Sequence, residues 1–408
     1  MKILLICEEY PPGKSGGIGT MVQTQAREMV RQGHDVYVVG LYMHGYGQSG
    51  YEEDNGVRVW RLRYYTDIGL IRNDFTARDK WRWRLLKWSM LLQIDTLLSV
   101  KRLFRFIHRL IREEHIDIIE MPDWNTFFQH SFIRINIPRF SIPLMVKFNG
   151  SHSYFLQELG LPVKKYVYAS EYALMRRAEA LSSVSQYTAA VTARLFHIER
   201  SIKILYNTIH LPDVKTGQPL PNIIFTGSLI YKKGIHSLLK AWNIVAAKFP
   251  GTTLDIFGKG DVAGLHPLLS STAAASVNFR GHVPRDVLFE AFSRATAAVF
   301  PSYSECFAFA PLEAMGAGCA VINTSRASGG ELVTNGVNGL LIDPDDIQQI
   351  AQAILLLLED APKRASLAAA GKRTIAEQFT IEQSVPQHIE FYKKIISGQD
   401  LHSSKNRS

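Results

Sequence analysis

Residues 297–322 read AAVFPSYSECFAFAPLEAMGAGCAVI, and this stretch decides the fold class. A short apolar run is followed by a polar loop, a helical pattern and a second apolar run. This order is typical of a βαβ unit, in which the two strands lie parallel in one sheet. The small residues before the second run allow the helix to pack closely on the sheet. We therefore expect an α/β protein with parallel sheets.

The same alternation extends from this unit in both directions along the chain. The predicted strands of the first half are 2–7, 35–39, 57–63, 116–119, 143–148, 181–184 and 202–205. Its predicted helices are 18–32, 80–93, 98–113 and 164–178. After a loop-like stretch at 211–222, the predicted strands are 223–227, 253–257, 277–279, 297–300, 319–322 and 339–342. Two doubly wound halves leave a cleft at the carboxyl ends of the strands as the expected ligand site.

The composition excludes several classes of protein. Of the 408 residues, 46% are hydrophobic, which excludes a disordered or collagen-like chain. The three cysteines (Cys7, Cys306 and Cys319) show no paired or metal-like spacing, so we expect a reducing, cytoplasmic setting without disulfides. No apolar stretch reaches the roughly 18–20 residues that a spanning helix needs. The formal charge of +9 and the pI near 9.3 favour anionic partners.

Two glutamates lie in the stretch that decides the fold. Glu305 is in the loop that follows the first strand, and Glu313 is on the helix after it. A carboxylate suits the paired hydroxyls of a sugar or a ribose, because each oxygen accepts a hydrogen bond from a separate O–H group. Two glutamates at this separation are common by chance, but their placement within the whole pattern is not.

Two further loops have the composition of phosphate sites. Gly16, Gly17 and Gly19 lie between the first strand and the first helix, where glycines allow a close backbone approach and the helix N-terminus favours anions. Lys233 follows the strand 223–227 at the start of a helix and could contact a diphosphate as a point charge. A flexible loop and a solvated surface lysine are the alternative interpretations.

A dinucleotide-binding motif is the main competing signal. Gly258-Lys259-Gly260-Asp261-Val262-Ala263 matches G-x-G-x-x-A directly after a predicted strand. About twenty residues later, Val277-Asn278-Phe279 offers no acidic residue for the ribose of NAD. The position in the middle of the chain also argues against a nicotinamide enzyme.

Taken together, these residues resemble the retaining glycosyltransferases of family 4, which have the GT-B fold. The resemblance covers residues 1–395, and the block from Glu305 to Glu313 is its most specific part. The other matching positions are Gly16-Gly17, Val184-Ser185, Asn207, Gly227 and Lys233-Gly234. The resemblance implies two Rossmann-like doubly wound domains that face a cleft, with a C-terminal helix that crosses back to the first domain.

The resemblance also implies a domain arrangement. Residues 1–210 would form the acceptor-side domain and residues 211–379 the domain that binds the nucleotide-sugar donor. The crossing helix would span 380–396, and the tail 397–408 would be disordered.

By the same resemblance, Glu305 would contact the donor sugar, Glu313 the nucleotide ribose, and Lys233 the diphosphate. The implied donor-binding positions are Gly16, Gly17, Gly150, Asn207, Gly227, Ser228, Lys233, Glu305, Phe307, Ala308 and Glu313. The implied catalytic positions are Glu305, Lys233, His152 and Asn149. The family needs no metal ion, and no cofactor is expected beyond the nucleotide-sugar co-substrate.

Three positions depart from the family pattern. Ser228 replaces the arginine that usually follows the loop glycine, which leaves Arg280 or Arg326 as candidate helpers for Lys233. Asn149-Gly150 replaces the usual His-Gly, and His152 lies close behind it as a substitute or as a structural histidine. Asn207-Thr208 replaces Asn-Gly before the linker.

The implied function is transfer of a sugar from a UDP- or GDP-sugar to a glycan or lipid-linked acceptor, in polysaccharide or glycolipid synthesis. Alternatives on the same fold are a sugar-nucleotide epimerase, a phosphorylase, or an inactive homologue that binds nucleotide sugars. A phosphorylase would need a lysine for pyridoxal phosphate, and its surrounding signature is missing from the sequence. Nucleic-acid binding would need a recognisable module, and the sequence has none.

The excess charge is concentrated in one segment. Between Arg72 and Arg112, eleven basic residues stand against three acidic ones, interleaved with Trp and Leu at helical spacing. Basic helices of this composition are typical of membrane-surface elements, whereas two helices packed on the sheet with a solvated basic face are the alternative. The candidate contacts with an anionic membrane are Arg78, Lys80, Trp81, Arg84, Lys87, Trp88, Arg102, Arg105 and Arg109.

Overall fold

The structure is a computed structural model that describes residues 1–12, 16–42, 49–65, 81, 90–214, 217 and 220–399. The chain divides into two compact units. The N-terminal unit comprises Met1–Val184, Thr188–Leu205 and the segment from Ser384 onward. The C-terminal unit comprises Ser185–Tyr187 and Tyr206–Gln383. The change of unit therefore comes after Leu205, five residues before the boundary that we predict at 210.

The N-terminal unit is built on an eight-stranded sheet in the order β3-β4-β2-β1-β5-β6-β7-β8. All neighbouring strands are parallel except β3, which is antiparallel to β4. The strands are β1 Lys2–Ile6, β2 Asp35–Tyr42, β3 Tyr51–Asp54, β4 Val57–Arg63, β5 Ile118–Pro122, β6 Leu144–Phe148, β7 Ala180–Ser183 and β8 Lys203–Ile204. The helices are α1 Gly17–Arg31, α2 Leu91–Glu114, α3 His152–Glu158, α4 Lys165–Arg177 and α5 Gln186–Phe196.

The central strand β1 shows why this sheet is buried on both faces. Ile3, Leu4, Leu5 and Ile6 are all almost fully buried, and they form a continuous apolar run. Alternating polarity is absent from such a strand because helices cover both sides of a parallel sheet.

The C-terminal unit has a six-stranded parallel sheet in the order β11-β10-β9-β12-β13-β14. The strands are β9 Leu220–Thr226, β10 Thr253–Phe257, β11 Val277–Gly281, β12 Ala295–Phe300, β13 Val321–Thr324 and β14 Leu340–Ile342. The helices are α6 Ile235–Lys248, α7 Ser271–Ala274, α8 Arg285–Arg294, α9 Phe309–Gly316, α10 Gly329–Leu332, α11 Ile347–Glu359 and α12 Ala361–Gln378. The last helix, α13 Ile381–Ile396, begins in this unit and belongs to the N-terminal unit from Ser384 onward. The strand order reverses between β9 and β12, which makes this the topological switch point where α/β sheets bind ligands.

Most of α13 belongs to the N-terminal unit, in agreement with the crossing helix that the resemblance implies. Inside that unit, the Tyr392 hydroxyl donates to the buried Glu120 carboxylate. The Lys147 Nζ lies 3.2 Å from His388 Nε2. These polar contacts hold the helix against β5 and β6.

Several predicted elements differ from the observed ones. The loop-like stretch 211–222 is shorter than predicted, because β9 begins at Leu220. The helices predicted at 80–93 and 98–113 overlap the single helix α2, and most of the first prediction lies outside the described residues. The short strand β3 escapes prediction because Tyr51–Asp54 carries three acidic side chains in a row. Of the predicted tail, residues 400–408 also lie outside the described residues. No helix in the described part of the chain is both long and apolar enough to cross a bilayer.

Candidate functional site

The two loops at the switch point of the C-terminal unit are packed tightly against each other. Gly234 has φ +70°, and a Cβ there would lie 1.8 Å from the carbonyl oxygen of Pro301. The Tyr303 N–H donates to the Lys232 carbonyl at 2.8 Å. The loop that follows β9 is therefore fixed to the loop that follows β12, and only glycine fits at position 234.

This packing brings Lys233 and Glu305 together. The Lys233 Nζ lies 2.5 Å from Glu305 Oε1, and both side chains are partly exposed (28% and 15%). A charge-assisted pair at this distance is strong, yet both groups remain open to a ligand. The sequence places each residue at the end of a strand, and the structure makes them partners.

The Glu305 loop borders a recess that the start of α9 helps to form. The Ser328 hydroxyl donates to the Glu305 carbonyl at 3.3 Å. The residues that line the recess with Glu305 include Phe307, Ala308, Asn323, Thr324 and Ser328. Ala308 is the N-cap of α9, and among the described residues no side chain caps this end. Uncapped N–H groups at a helix start favour an anion.

Asn207 does not line this recess but contacts the main chain of Phe307, which does. It is buried, and its Nδ2 donates to the Phe307 carbonyl at 2.9 Å. Tyr206 packs against the Phe307 ring, with 4.9 Å between the ring centroids. In the structure Asn207 thus positions the Phe307 backbone, and its donor-binding role stays a prediction.

Glu313 is on α9 and is paired with a residue that the sequence analysis does not single out. Its carboxylate is nearly buried (13% exposed), and its Oε1 lies 2.8 Å from Nη2 of Arg285. Burial raises the pKa of Glu313 above its ordinary value, and the ion pair with Arg285 offsets only part of that rise. The Arg285 guanidinium also lies over the Phe289 ring at 5.2 Å.

The candidate helpers of Lys233 have other partners. Arg280 pairs with Asp255 at 2.8 Å. Arg326 pairs with both Asp343 and Asp345 and lies over the Tyr303 ring. Ser228, at the position where the family has an arginine, is exposed. The charge of each candidate helper is therefore already balanced by carboxylates.

Two glycines at the start of α1, Gly16 and Gly19, lie close to Glu9. The Gly16 N–H donates to Glu9 Oε2 at 3.1 Å, one residue before α1 begins at Gly17. A Cβ on Gly19 would lie 1.9 Å from the Glu9 carbonyl oxygen. Gly19 is thus required for the close approach of α1 to the segment that follows β1.

Asn149, Gly150 and His152 lie at the carboxyl end of β6. The Asn149 N–H donates to Asp123 Oδ1 at 2.8 Å, and Gly150 has φ +94°. His152 begins α3 and packs edge-on against Trp124, and burial lowers its pKa. A lowered pKa keeps the imidazole neutral at pH 7, so His152 can accept or donate a hydrogen bond but carries no charge.

Two buried carboxyls that hold this loop were missed by the sequence analysis. Burial raises the pKa of Asp123 to about 8 and that of Glu171 to about 7. Glu171 accepts from the backbone N–H of His152 at 2.8 Å. Asp123 directly follows the observed strand β5 but lies four residues beyond the predicted strand 116–119, so the sequence signal for it is weak, and Glu171 on α4 gives none.

The candidate membrane residues are only partly described. Arg78, Lys80, Arg84, Lys87 and Trp88 lie outside the described residues. Trp81 is 64% exposed. Arg105 and Arg109 are on the exposed face of α2, together with the apolar side chains of Leu91, Ile94 and Leu98. Arg102 does not belong to that face, because it is half-buried with its guanidinium 4.2 Å from the Tyr65 ring centroid.

Comparisons with known proteins cover both units. The family model described as "Glycosyl transferase 4-like domain" matches residues 16–207, and that described as "Glycosyl transferases group 1" matches residues 213–374. Glycogen synthase of Mycobacterium tuberculosis is 27% identical over 400 residues, which cover 93% of this chain and 91% of that protein.

Solved structures share the fold of the whole chain. Sucrose-phosphate synthase from Thermosynechococcus elongatus superposes with a TM-score of 0.75 at 17% identity, covering 98% of this chain and all of that one. HepE from Anabaena, in complex with UDP and glucose, superposes with a TM-score of 0.68 at 16% identity, covering 97% and 100%. At these identities, the superpositions show the fold.

Proposed function

Because the chain belongs to the group 1, or family 4, glycosyltransferases and has the GT-B fold, we propose that it uses a nucleotide-diphosphate sugar, UDP- or GDP-linked, as the donor. The observation that carries this proposal is the pair of Lys233 and Glu305 at the switch point of the C-terminal sheet. A cation for a diphosphate and a carboxylate for sugar hydroxyls lie side by side there. The complex of HepE with UDP and glucose supports the same assignment.

In this proposal, each end of the donor meets a different part of the C-terminal unit. Lys233 and the uncapped start of α9 neutralise the diphosphate. Glu305 accepts hydrogen bonds from the sugar hydroxyls, and Glu313 accepts those of the ribose. The donor would have to displace the Lys233 ammonium from Glu305, at least in part, because the ion pair now uses both groups.

We propose that the transfer retains the anomeric configuration. The C–O bond between the anomeric carbon and the phosphate breaks first, and positive charge develops on the sugar. The acceptor hydroxyl attacks from the face that the phosphate leaves and gives its proton to a departing phosphate oxygen. Lys233 and the α9 amides stabilise the negative charge of the leaving group, so no metal ion is required. The two glutamates are not an acid and nucleophile pair of a glycosidase.

The acceptor in this proposal is a glycan or a lipid-linked sugar, and it is bound by the N-terminal unit. On the exposed face of α2, Leu91, Ile94 and Leu98 precede Lys101, Arg105 and Arg109. Apolar groups followed by cations at helical spacing fit an anionic lipid surface. A peripheral position on a membrane would supply the enzyme with lipid-linked acceptors for polysaccharide or glycolipid synthesis.

Slow hydrolysis of the donor without an acceptor provides the test. The purified protein, incubated with a panel of UDP- and GDP-sugars, should release one nucleotide in preference to the other, and EDTA should not change the rate. Nucleotide binding should also raise Tm. If no nucleotide binds and no donor is hydrolysed, the donor assignment is wrong.

An inactive homologue that binds nucleotide sugars is the second candidate. It is favoured by Asn149, whose Nδ2 donates to the Lys147 carbonyl at 3.2 Å and whose amide cannot act as an acid or a base. Such a protein would bind UDP or GDP and still fail to hydrolyse or transfer any sugar of the panel.

A further inference from the structure

Glu313 is the buried group of the donor site, and its charge depends on one partner. The Glu313 carboxylate is only 13% exposed, and desolvation raises its pKa. A protonated carboxyl offers one acceptor oxygen fewer to a diol than a carboxylate does. The ability of Glu313 to accept from both ribose hydroxyls therefore depends on what keeps it ionised.

Arg285 is that partner. Its Nη2 lies 2.8 Å from Glu313 Oε1, and its guanidinium lies over the Phe289 ring four residues along α8. The side chain of Arg285 is 40% exposed, so Arg285 contacts the nearly buried carboxylate from the side that faces the solvent. Arg285 is the first residue of α8, and α8 packs against α9.

The other described charged groups around α9 form no ion pair with Glu313. The elements packed against α9 are α8, α12, β12 and β13, and the two strands carry no charged residue. On α12, Lys363 donates to the Gly336 carbonyl and Arg364 to the Leu357 carbonyl. The remaining charged residues of these helices are Asp286, Glu290, Arg294, Lys372, Arg373 and Glu377. In the described part of the chain, only Arg285 forms an ion pair with Glu313.

We propose that Arg285 is a positioning residue for the nucleotide ribose, which keeps the Glu313 carboxylate ionised and holds it in place to accept both ribose hydroxyls. This inference rests on the proposed function, because it takes the ribose of the donor as the ligand of Glu313. It adds a residue that the family pattern does not supply, and it predicts how nucleotide binding depends on pH.

The test is calorimetric titration of the intact protein with UDP and with GDP between pH 5.5 and 8.5. The quantity compared is the ratio of Kd for a variant to Kd for the unsubstituted protein at each pH. Ionisation of the nucleotide's own phosphate is common to both and cancels in that ratio. For Arg285→Gln, the ratio should be small at pH 8.5 and should grow about five- to tenfold towards pH 6, because loss of an adjacent cation raises a carboxyl pKa by about one unit or more.

Four further variants separate positioning from a merely structural role. Arg285→Lys keeps the cation and should restore most of the binding at low pH. Glu313→Gln should weaken binding by a similar factor at every pH, and adding Arg285→Gln to it should cost little more. Arg294→Gln is the matched control, because Arg294 ends the same helix and its pair with Glu290 spans 3.9 Å; it should leave the profile unchanged.

The outcomes distinguish this inference from the proposed function. A ratio for Arg285→Gln that is constant over the pH range, or equal to one throughout, overturns the inference while nucleotide binding itself stands. If the unsubstituted protein binds neither UDP nor GDP, the proposed function fails, and this inference fails with it.

Discussion

The Lys233 Nζ lies 2.5 Å from Glu305 Oε1, although 72 residues separate the two along the chain. Lys233 follows β9 and Glu305 follows β12, and these strands are neighbours at the switch point of the sheet. The unliganded site is thus held together by the groups that would bind the two halves of the donor. A ligand that brings a diphosphate for the lysine and hydroxyls for the glutamate replaces one charge-assisted contact by several.

Replacement of Lys233 by alanine should reduce both donor hydrolysis and transfer by about 100-fold or more, since loss of one preorganised electrostatic contact to a leaving group costs about that factor. The rates are measured at saturating donor, with Lys259→Ala as the control. Lys259 is exposed on the loop after β10 and should tolerate the change. A Lys233→Ala variant with normal turnover would contradict the assigned role.

The two glutamates should separate binding from turnover. Glu313→Ala is expected to weaken binding of free UDP or GDP, because that carboxylate is assigned to the ribose. Glu305→Ala is expected to leave nucleotide binding intact or tighter, since it frees Lys233 for the diphosphate, while transfer falls steeply. The measurements are calorimetric Kd values and transfer rates for both variants. Equal losses of nucleotide affinity in the two variants would show that the roles are wrongly divided.

The sequence predicts the elements of the fold better than the contacts of the site. Continuous apolar runs such as Ile3–Ile6 identify buried parallel strands, because both faces of these strands are covered. The charged strand Tyr51–Asp54 gives no such signal, since its pairing with β4 alone makes it a strand. The sequence therefore predicts a strand only where burial of that strand requires a run of apolar residues.

The site residues likewise divide into those that a local pattern predicts and those that depend on contacts between distant elements. Glu305 and Lys233 are predictable because each follows a strand, and parallel strands bring such ends to one edge. Arg285 is not predictable, because its role depends on the packing of α8 against α9, which no local period encodes. Asn207 is predicted as a donor-binding residue, whereas its contact with the Phe307 carbonyl appears only in three dimensions.

Gly234 should tolerate no side chain. Its φ of +70° disfavours any L-residue by about 1–2 kcal/mol, and a Cβ would in addition meet the Pro301 oxygen at 1.8 Å. Gly234→Ala should therefore lower the free energy of unfolding by clearly more than Gly251→Ala, which has φ +93° but no atom within 4 Å of its Cβ. Urea unfolding of both variants measures the difference. Equal losses would show that the two loops are not fixed to each other as described.

The buried His388 should make the stability depend on pH. Burial, with a contribution from Lys147, lowers its pKa to about 3, whereas in the unfolded chain it is near 6.5. Below pH 6.5 the unfolded chain binds a proton that the folded chain does not, so stability falls as pH falls. The loss is up to about 1.4 kcal/mol per pH unit until the folded pKa is reached.

His388→Gln removes the titrating imidazole and should make the free energy of unfolding depend less on pH. Relative to the unsubstituted protein, the variant is expected to gain about 2–3 kcal/mol between pH 7.5 and pH 4.5, whatever its stability at neutral pH. Urea midpoints at the two pH values give the comparison, in which the buried carboxyls contribute equally to both proteins. His266→Gln serves as the control, since His266 is exposed. A parallel pH dependence of the two proteins would mean that His388 titrates normally.

The exposed face of α2 should determine whether the protein binds a membrane. Arg105→Glu combined with Arg109→Glu reverses two cations of that face and is expected to abolish flotation with vesicles that contain anionic phosphatidylserine at low salt. Each cation near such a surface contributes about 1 kcal/mol, so reversal of two should reduce the partition coefficient by more than 100-fold. Lys393→Glu with Lys394→Glu is the matched charge control, because both lysines are exposed on α13. Binding that survives the α2 reversal, or that is absent from the unsubstituted protein, would remove the membrane from the proposed function and leave the donor site unaffected.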